Sequence, residues 1–202
     1  MHISWLGYSA FRLQENGITI LTNPYDRASN FRIHKQAADI VISSQGLETK
    51  GHEATEAVSG KPMVIASPGE YEIKGVFIYG LPQGDQTIYL LTVDGISVAF
   101  LGTVKLKELS QAQLEVMEGA DVLIIPVGGG VVTSAKDAAH IINQIEPRIV
   151  IPAHYKMTGS KGLDSVDVFL KEYSAPHETI EKLKLHKKDL AHEDTKVVVL
   201  KH

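Results

Sequence analysis

The chain contains no cysteine in 202 residues. Disulfides, thiolate metal sites and a cysteine nucleophile are therefore excluded. No apolar run approaches the roughly 20 residues that a membrane-spanning helix needs. The opening, Met1-His2-Ile3-Ser4-Trp5-Leu6-Gly7, has neither a basic stretch nor a long apolar segment, so no signal peptide is expected. A strong charge of either sign is missing too: 24 acidic residues stand against 20 basic ones, a net charge of −4. That balance gives no footprint for nucleic acid or a membrane surface, and the cytoplasm is the expected location. A chain of this length buries a sizeable core without staples, and one domain, residues 1–202, is expected.

What is present begins with strands. Phe11 and Leu13 alternate with Arg12 and Gln14, Asn16-Gly17 supplies a tight turn, and residues 18–21 return. An Asn-Gly pair between such segments is a strong hairpin signal because both residues tolerate positive φ. Residues 40–42 form a short apolar run suited to a strand buried on both faces. Further strands are expected at 62–66, 76–79, 87–91 and 96–100, the last two joined by Asp94-Gly95. The chain then alternates strand and helix. Ser110 and Gln113 form a capping box ahead of Leu114 and Met117. Ser134 caps a helix whose Ala138, Ile141, Ile142 and Ile145 repeat at helical spacing until Pro147 ends it. Val166, Phe169, Leu170 and Tyr173 mark a third helix. Strands at 121–127, 148–152 and 196–200 complete an α/β pattern with mixed sheets.

Few residues announce chemistry. No Gly-x-Ser-x-Gly elbow or nucleophile–base pair is evident, although Tyr8, Thr103 and His154 converge if the strand ends meet. Gly128-Gly129-Gly130 precedes a capped helix but lacks a P-loop lysine, and reads as a strand-to-helix turn. Lys182, Lys184, Lys187 and Lys188 alternate with Leu183 and Leu185 and read as a solvated strand edge. His140 lies opposite the apolar face of its helix. His34 and His52 are weighed as substitute pocket residues; His52, two residues past Lys50, reads as a surface histidine, as do His2, His177, His186, His192 and His202.

Several segments, in order, resemble the small lactonase-like branch of the metallo-β-lactamase superfamily. Trp5-Leu6-Gly7-Tyr8-Ser9 resembles its Trp-Leu-Gly-His-Ser, and Leu21-Thr22-Asn23-Pro24 its Leu-Thr-Asp-Pro. Pro68-Gly69-Glu70-Tyr71-Glu72, the strand running into Leu101-Gly102-Thr103, Ile125-Pro126-Val127-Gly128-Gly129 and Ile151-Pro152-Ala153-His154-Tyr155 follow. The resemblance implies an αββα sandwich, two mixed β-sheets flanked by helices, with the site where strand ends converge. It also implies zinc or manganese held by a His-x-His-x-Asp-His motif. Here those four ligand positions read Gln45, Leu47, Thr49 and Lys50. Leucine cannot ligate, and a lysine ammonium has no lone pair. The family's bridging aspartate is Thr103, the loop at residues 81–86 has no histidine, and only the last ligand survives, as His154.

One imidazole among amides and hydroxyls falls short of the three or so ligands a catalytic metal needs. The expectation drawn from this is a non-catalytic homologue without a metal cofactor. Tyr8, Asn23, Gln45, Thr49, Lys50, Thr103 and His154 would line its old pocket, which would take a small-molecule ligand. A second copy of the chain or another protein is the expected macromolecular partner. The alternative is a lactonase- or phosphoesterase-like hydrolase, with or without metal, using an unconventional site around His154.

Overall fold

Asn16 and Gly17 have φ of 47° and 78°, as a primed two-residue turn requires, and the hairpin they close organises the first sheet. The structure is a computed structural model describing residues 1–24, 33–46, 48–49, 52–53, 55, 57–190 and 194–202, with backbone only at 48–49 and 52–53. In chain order the strands begin with β1 (His2–Gly7), β2 (Ala10–Glu15), β3 (Ile18–Thr22), β4 (Ile40–Ile42) and β5 (Met63–Ile65). They continue with β6 (Gly69–Ile73), β7 (Val76–Gln83), β8 (Gln86–Val93) and β9 (Ile96–Phe100). Helix α1 (Gln111–Met117), β10 (Val122–Pro126), α2 (Ala135–Ile145), β11 (Ile149–Ala153) and α3 (Val166–Glu172) alternate. β12 (His177–Ile180), β13 (Leu183–Lys184) and β14 (Lys196–Leu200) close the chain.

The first sheet has the order β13-β1-β2-β3-β4-β5 and the second β6-β7-β8-β9-β10-β11-β14-β12. Both are mixed. In the first, antiparallel β1–β3 give way to parallel β4 and β5. In the second, antiparallel β6–β9 give way to parallel β10, β11, β14 and β12. Two short ladders join Gln36–Ala37 to Val58–Ser59 and Glu48–Thr49 to His52–Glu53.

The period of two along each strand decides what it buries. Ile20, Ile40 and Ile42 enter the main core between the sheets with Ile3, Phe11, Ile78, Tyr89, Leu91 and Phe100. Leu21 and Val41, one residue out of phase, point to the opposite face and pack with Val58. The first sheet is thus apolar on both sides along β3 and β4, which is why residues 40–42 read as an unbroken apolar run. Helix α2 buries Ala138, Ile141, Ile142 and Ile145 and leaves His140 exposed.

Two parts of the sequence expectation need correcting. Residues 81–86, read as a loop, are the ends of β7 and β8 around a Gly84-Asp85 turn, with Gly84 at φ 61°. β6 and β12 were not anticipated: both are edge strands whose exposed faces carry Glu70, Glu72 and His177, so the apolar alternation is weak. No helix among the described residues is long and apolar enough to cross a membrane.

Candidate active site

β1, β3 and β4 of the first sheet, and β9 and β11 of the second, release the chain at their carboxyl ends into Tyr8, Asn23, Ser43, Leu101 and His154 respectively. Seven described non-glycine residues have positive φ. Asn16, Lys74 and Asp94 lie in hairpin turns and Glu146 caps α2. The other three are Tyr8 (48°), Asn23 (39°) and His154 (48°). A bulky side chain in the left-handed region costs on the order of 1–3 kcal/mol and persists only where the surroundings enforce it.

The enforcement is visible at each position. The Tyr8 carbonyl accepts from the Trp5 indole Nε1–H at 2.9 Å and from the His154 backbone N–H at 2.9 Å. The Tyr8 backbone N–H donates to the Met157 sulfur at 3.3 Å. Asn23 Nδ2 donates to Ser9 Oγ (3.1 Å) and Ser44 Oγ (2.8 Å), and its Oδ1 accepts from the Ser44 backbone N–H at 2.8 Å. Asn23 is therefore a brace between the ends of β1, β3 and β4. Gly102 (φ 63°) presses on it: an added Cβ would lie 2.4 Å from Ser44 Oγ.

Gln45 and Thr103, 58 residues apart, form the other half of the site. Gln45 Nε2 donates to Thr103 Oγ1 at 2.8 Å, and Thr103 Oγ1 donates onward to Gln86 Oε1 at 3.0 Å. Gln86 was not among the candidates. Its signal was its place on the segment where the resemblance expects a histidine.

His154 completes the arrangement. Its ring lies 5.3 Å from that of Tyr8, centroid to centroid. Burial pushes its pKa down to about 4, so the imidazole is neutral at physiological pH. Its Nδ1 is buried and has no hydrogen-bond partner among the described residues. Such a group costs roughly 1–3 kcal/mol unless something completes it. Backbone packing fixes the residue: a Cβ on Gly128 would lie 2.2 Å from the His154 carbonyl oxygen. The glycine-rich turn between β10 and α2, read from the sequence only as a strand-to-helix turn, also serves close packing.

The structure brings together Tyr8 with His154, Gln45 with Thr103, and Asn23 with the serines between them. Lys50 and Leu47 lie outside the described residues, as do the side chains of Thr49 and His52. The fold implies a metal, so the donors must be tested against one. The free Nδ1 of His154 is a fitting ligand, yet no group of three His, Cys, Asp or Glu gathers among the described residues. One imidazole beside amides and hydroxyls does not complete a zinc or manganese shell. The described residues therefore do not fit the metal as the family holds it.

Comparison with known proteins bears on both fold and activity. The profile of the beta-lactamase superfamily domain matches residues 2–154. A UPF0173 metal-dependent hydrolase of Lysinibacillus sphaericus is 21% identical, over 77% of this chain and 85% of its own length. A UPF0173 protein of Pyrococcus furiosus is 25% identical, over 77% of this chain and 83% of its own. A crystal structure from Thermotoga maritima, named as a candidate Zn-dependent hydrolase of the metallo-β-lactamase superfamily, superposes with a TM-score of 0.85 at 32% identity. It covers 99% of this chain and 98% of that one.

The comparisons correct two expectations. The non-catalytic reading is overturned, because relatives matching most of the chain are named metal-dependent hydrolases. The expectation of no cofactor falls with it, since those names imply a metal. Counting lost ligands position by position measures departure from one ligand set and does not measure what another set can do. The two mixed sheets and the convergence of strand ends stand as read.

Proposed function

Because this chain belongs to the metallo-β-lactamase superfamily, we propose that it is a hydrolase whose reaction takes place at the carboxyl-end site around His154. The observation that carries the reading is the Nδ1 of His154: buried, on a neutral ring and without a partner among the described residues. A scaffold that enforces a positive φ at His154 and leaves its ring nitrogen unsatisfied has prepared that nitrogen for something absent from the folded chain itself.

The chemistry follows from the groups present. Hydrolysis adds water to an electrophilic carbon or phosphorus, breaks the bond to the leaving oxygen and moves one proton from water to that oxygen. A neutral imidazole nitrogen can accept the proton of the attacking water and return it. The hydrogen bond from Gln45 to Thr103, and from Thr103 to Gln86, fixes those side chains as a neutral polar wall that orients a bound group. In the family a metal activates the water and polarises the bond. The described residues would supply that metal with one nitrogen, the Nδ1 of His154. The cytoplasm is the compartment this reading assumes, and cell fractionation tests it.

The experiment is an assay of the purified protein on carboxylic esters, lactones and phosphodiesters, with and without added zinc or manganese. Turnover of one class is expected, falling by about 100-fold or more in His154→Gln, as loss of a positioned proton-transfer group does. Absence of turnover on every class under every metal condition, or full activity in His154→Gln, overturns the reading.

A further inference from the structure

A strand with a neighbour on one side only leaves every second residue's backbone groups open. β6 is such a strand at one edge of the second sheet, and β13 at one edge of the first. The two carry opposite charge in the same alternation. β6 reads Gly69-Glu70-Tyr71-Glu72-Ile73, with both glutamates exposed. Lys182 leads into β13, where Leu183 is buried and Lys184 exposed. None of these four charged side chains forms an ion pair among the described residues.

The pairing fixes which backbone groups are open. Lys74 and Gly75, with φ of 53° and 78°, make a primed two-residue turn, so the flanking pair, Ile73 and Val76, exchanges backbone hydrogen bonds. Hydrogen-bonded and non-hydrogen-bonded pairs alternate along an antiparallel ladder. Glu72 opposite Phe77 and Glu70 opposite Tyr79 are therefore non-hydrogen-bonded pairs, and the backbone groups of both glutamates face away from β7. At β13 the anchor is direct. The Leu185 N–H donates to the Met1 carbonyl at 2.8 Å, and the Met1 ammonium donates to the Leu185 carbonyl at 2.6 Å. The next pair, Lys184 opposite His2, is then non-hydrogen-bonded, and the Lys184 backbone groups face away from β1. Lys182 belongs to the same edge, since its charge and that of Lys184 both act on His2.

Like charges directly opposite each other destabilise a ladder, and opposite charges stabilise it. A two-fold pairing of β6 with another β6, centred anywhere on residues 70–72, sets glutamate against glutamate. A pairing of β13 with another β13 sets lysine against lysine. Each edge thus rejects its own kind. An antiparallel pairing of β6 with β13 does the reverse. With Tyr71 opposite Leu183, Glu72 meets Lys182 and Glu70 meets Lys184 on one face.

We propose that the β6 edge is an interaction surface whose occupant is a second copy of this chain, which adds its β13 edge antiparallel to β6 with Glu72 opposite Lys182 and Glu70 opposite Lys184. The two edges differ, so the contact is heterologous. A pair of copies keeps one β6 and one β13 open, and the assembly closes as a ring or extends as a chain.

The test is sedimentation equilibrium of the whole chain at concentrations up to about 1 mM, the range in which a small edge contact operates. The average mass should rise above the 22.1 kDa of one copy and return toward it in about 0.5 M salt, which screens exposed pairs. Glu70→Lys with Glu72→Lys, and separately Lys182→Glu with Lys184→Glu, should each weaken self-association by about tenfold or more, because like charges then face each other. Mixing the two variants restores opposite charges at every contact and should restore the mass. Circular dichroism checks that both fold. Where a reversal does not, Glu70→Gln with Glu72→Gln removes the attraction alone and should weaken association by about threefold or more. A mass of 22.1 kDa at every concentration, a mass that charge reversal leaves unchanged, or a mixture that stays as dissociated as its components overturns the proposal.

Discussion

Single residues at the site are held by contacts that leave little room for change. A Cβ on Gly102 would sit 2.4 Å from both Cβ and Oγ of Ser44, at a φ of 63° that side chains resist. Gly102→Ala is expected to destabilise the protein by about 2–4 kcal/mol through overpacking and backbone strain together. Urea unfolding measures it, and a loss below about 0.5 kcal/mol would mean that the Asn23–Ser44 brace yields easily. His154 gives a prediction in pH. Its folded pKa is pushed down to about 4, below the ordinary histidine value of 6.5, because burial penalises the charged ring. The unfolded state therefore binds more protons between those two values, and stability falls as pH drops from about 6.5 toward 4. The full loss from this one group is on the order of 3 kcal/mol. His154→Gln should lessen the acid slope in that window, which denaturation at pH 7, 5.5 and 4.5 reads directly.

At the level of elements, short-range signals were good guides where the chain makes its own partner. Ser110 and Gln113 form the reciprocal capping box expected of them. Ser134 Oγ accepts the Asp137 N–H at 3.2 Å and donates to the Asp137 carboxylate at 2.6 Å. Ser134→Ala is expected to cost about 1 kcal/mol, the usual value of an N-cap, measured by thermal or urea unfolding. The cost should appear as a faster unfolding rate if α2 is capped late in folding. Elements whose partners lie far away in sequence were harder. β6 and β12 are single edge strands, apolar on neither face throughout, and what makes them strands is the ladder to β7 and β14. β7 and β8 each ran past the residues assigned to them because their paired register continues to Gln83 and Gln86, beyond the last strong apolar alternation.

Across the whole molecule, a surface ion pair joins the two sheets. Lys74, in the turn between β6 and β7, reaches Asp39 ahead of β4 at 2.5 Å, and Asp39 also accepts the Thr19 N–H at 2.9 Å. The Lys74 hydrogen bond, followed by the Thr19 N–H, holds the Asp39 carboxyl below its ordinary pKa. A depressed carboxyl stabilises the fold above the unfolded carboxylate pKa, and the contribution is lost as pH falls through the lower folded value. Lys74→Met should cost at most about 1 kcal/mol at neutral pH, because the pair is solvent-exposed, and the difference should shrink in high salt. A salt-independent loss would point to packing by the lysine stem instead.

The sequence by itself determined the elements. Apolar alternation, an Asn-Gly and an Asp-Gly turn, and helices with their own caps are properties of neighbouring residues, and they specify a strand-rich first half and an alternating second half before any long-range contact is known, whereas two layered sheets were implied by the family resemblance. The resemblance also pointed to strand ends as the place of a candidate site. Only the tertiary structure decided what occupies them. The link from Gln45 to Thr103 and on to Gln86 joins three segments through side-chain bonds that no local pattern encodes. The left-handed backbone of Tyr8 and His154 is set by carbonyls and glycines contributed from other strands. The unsatisfied Nδ1 of His154 depends on which described groups fail to reach it, and that is a property of the packed fold and not of the histidine.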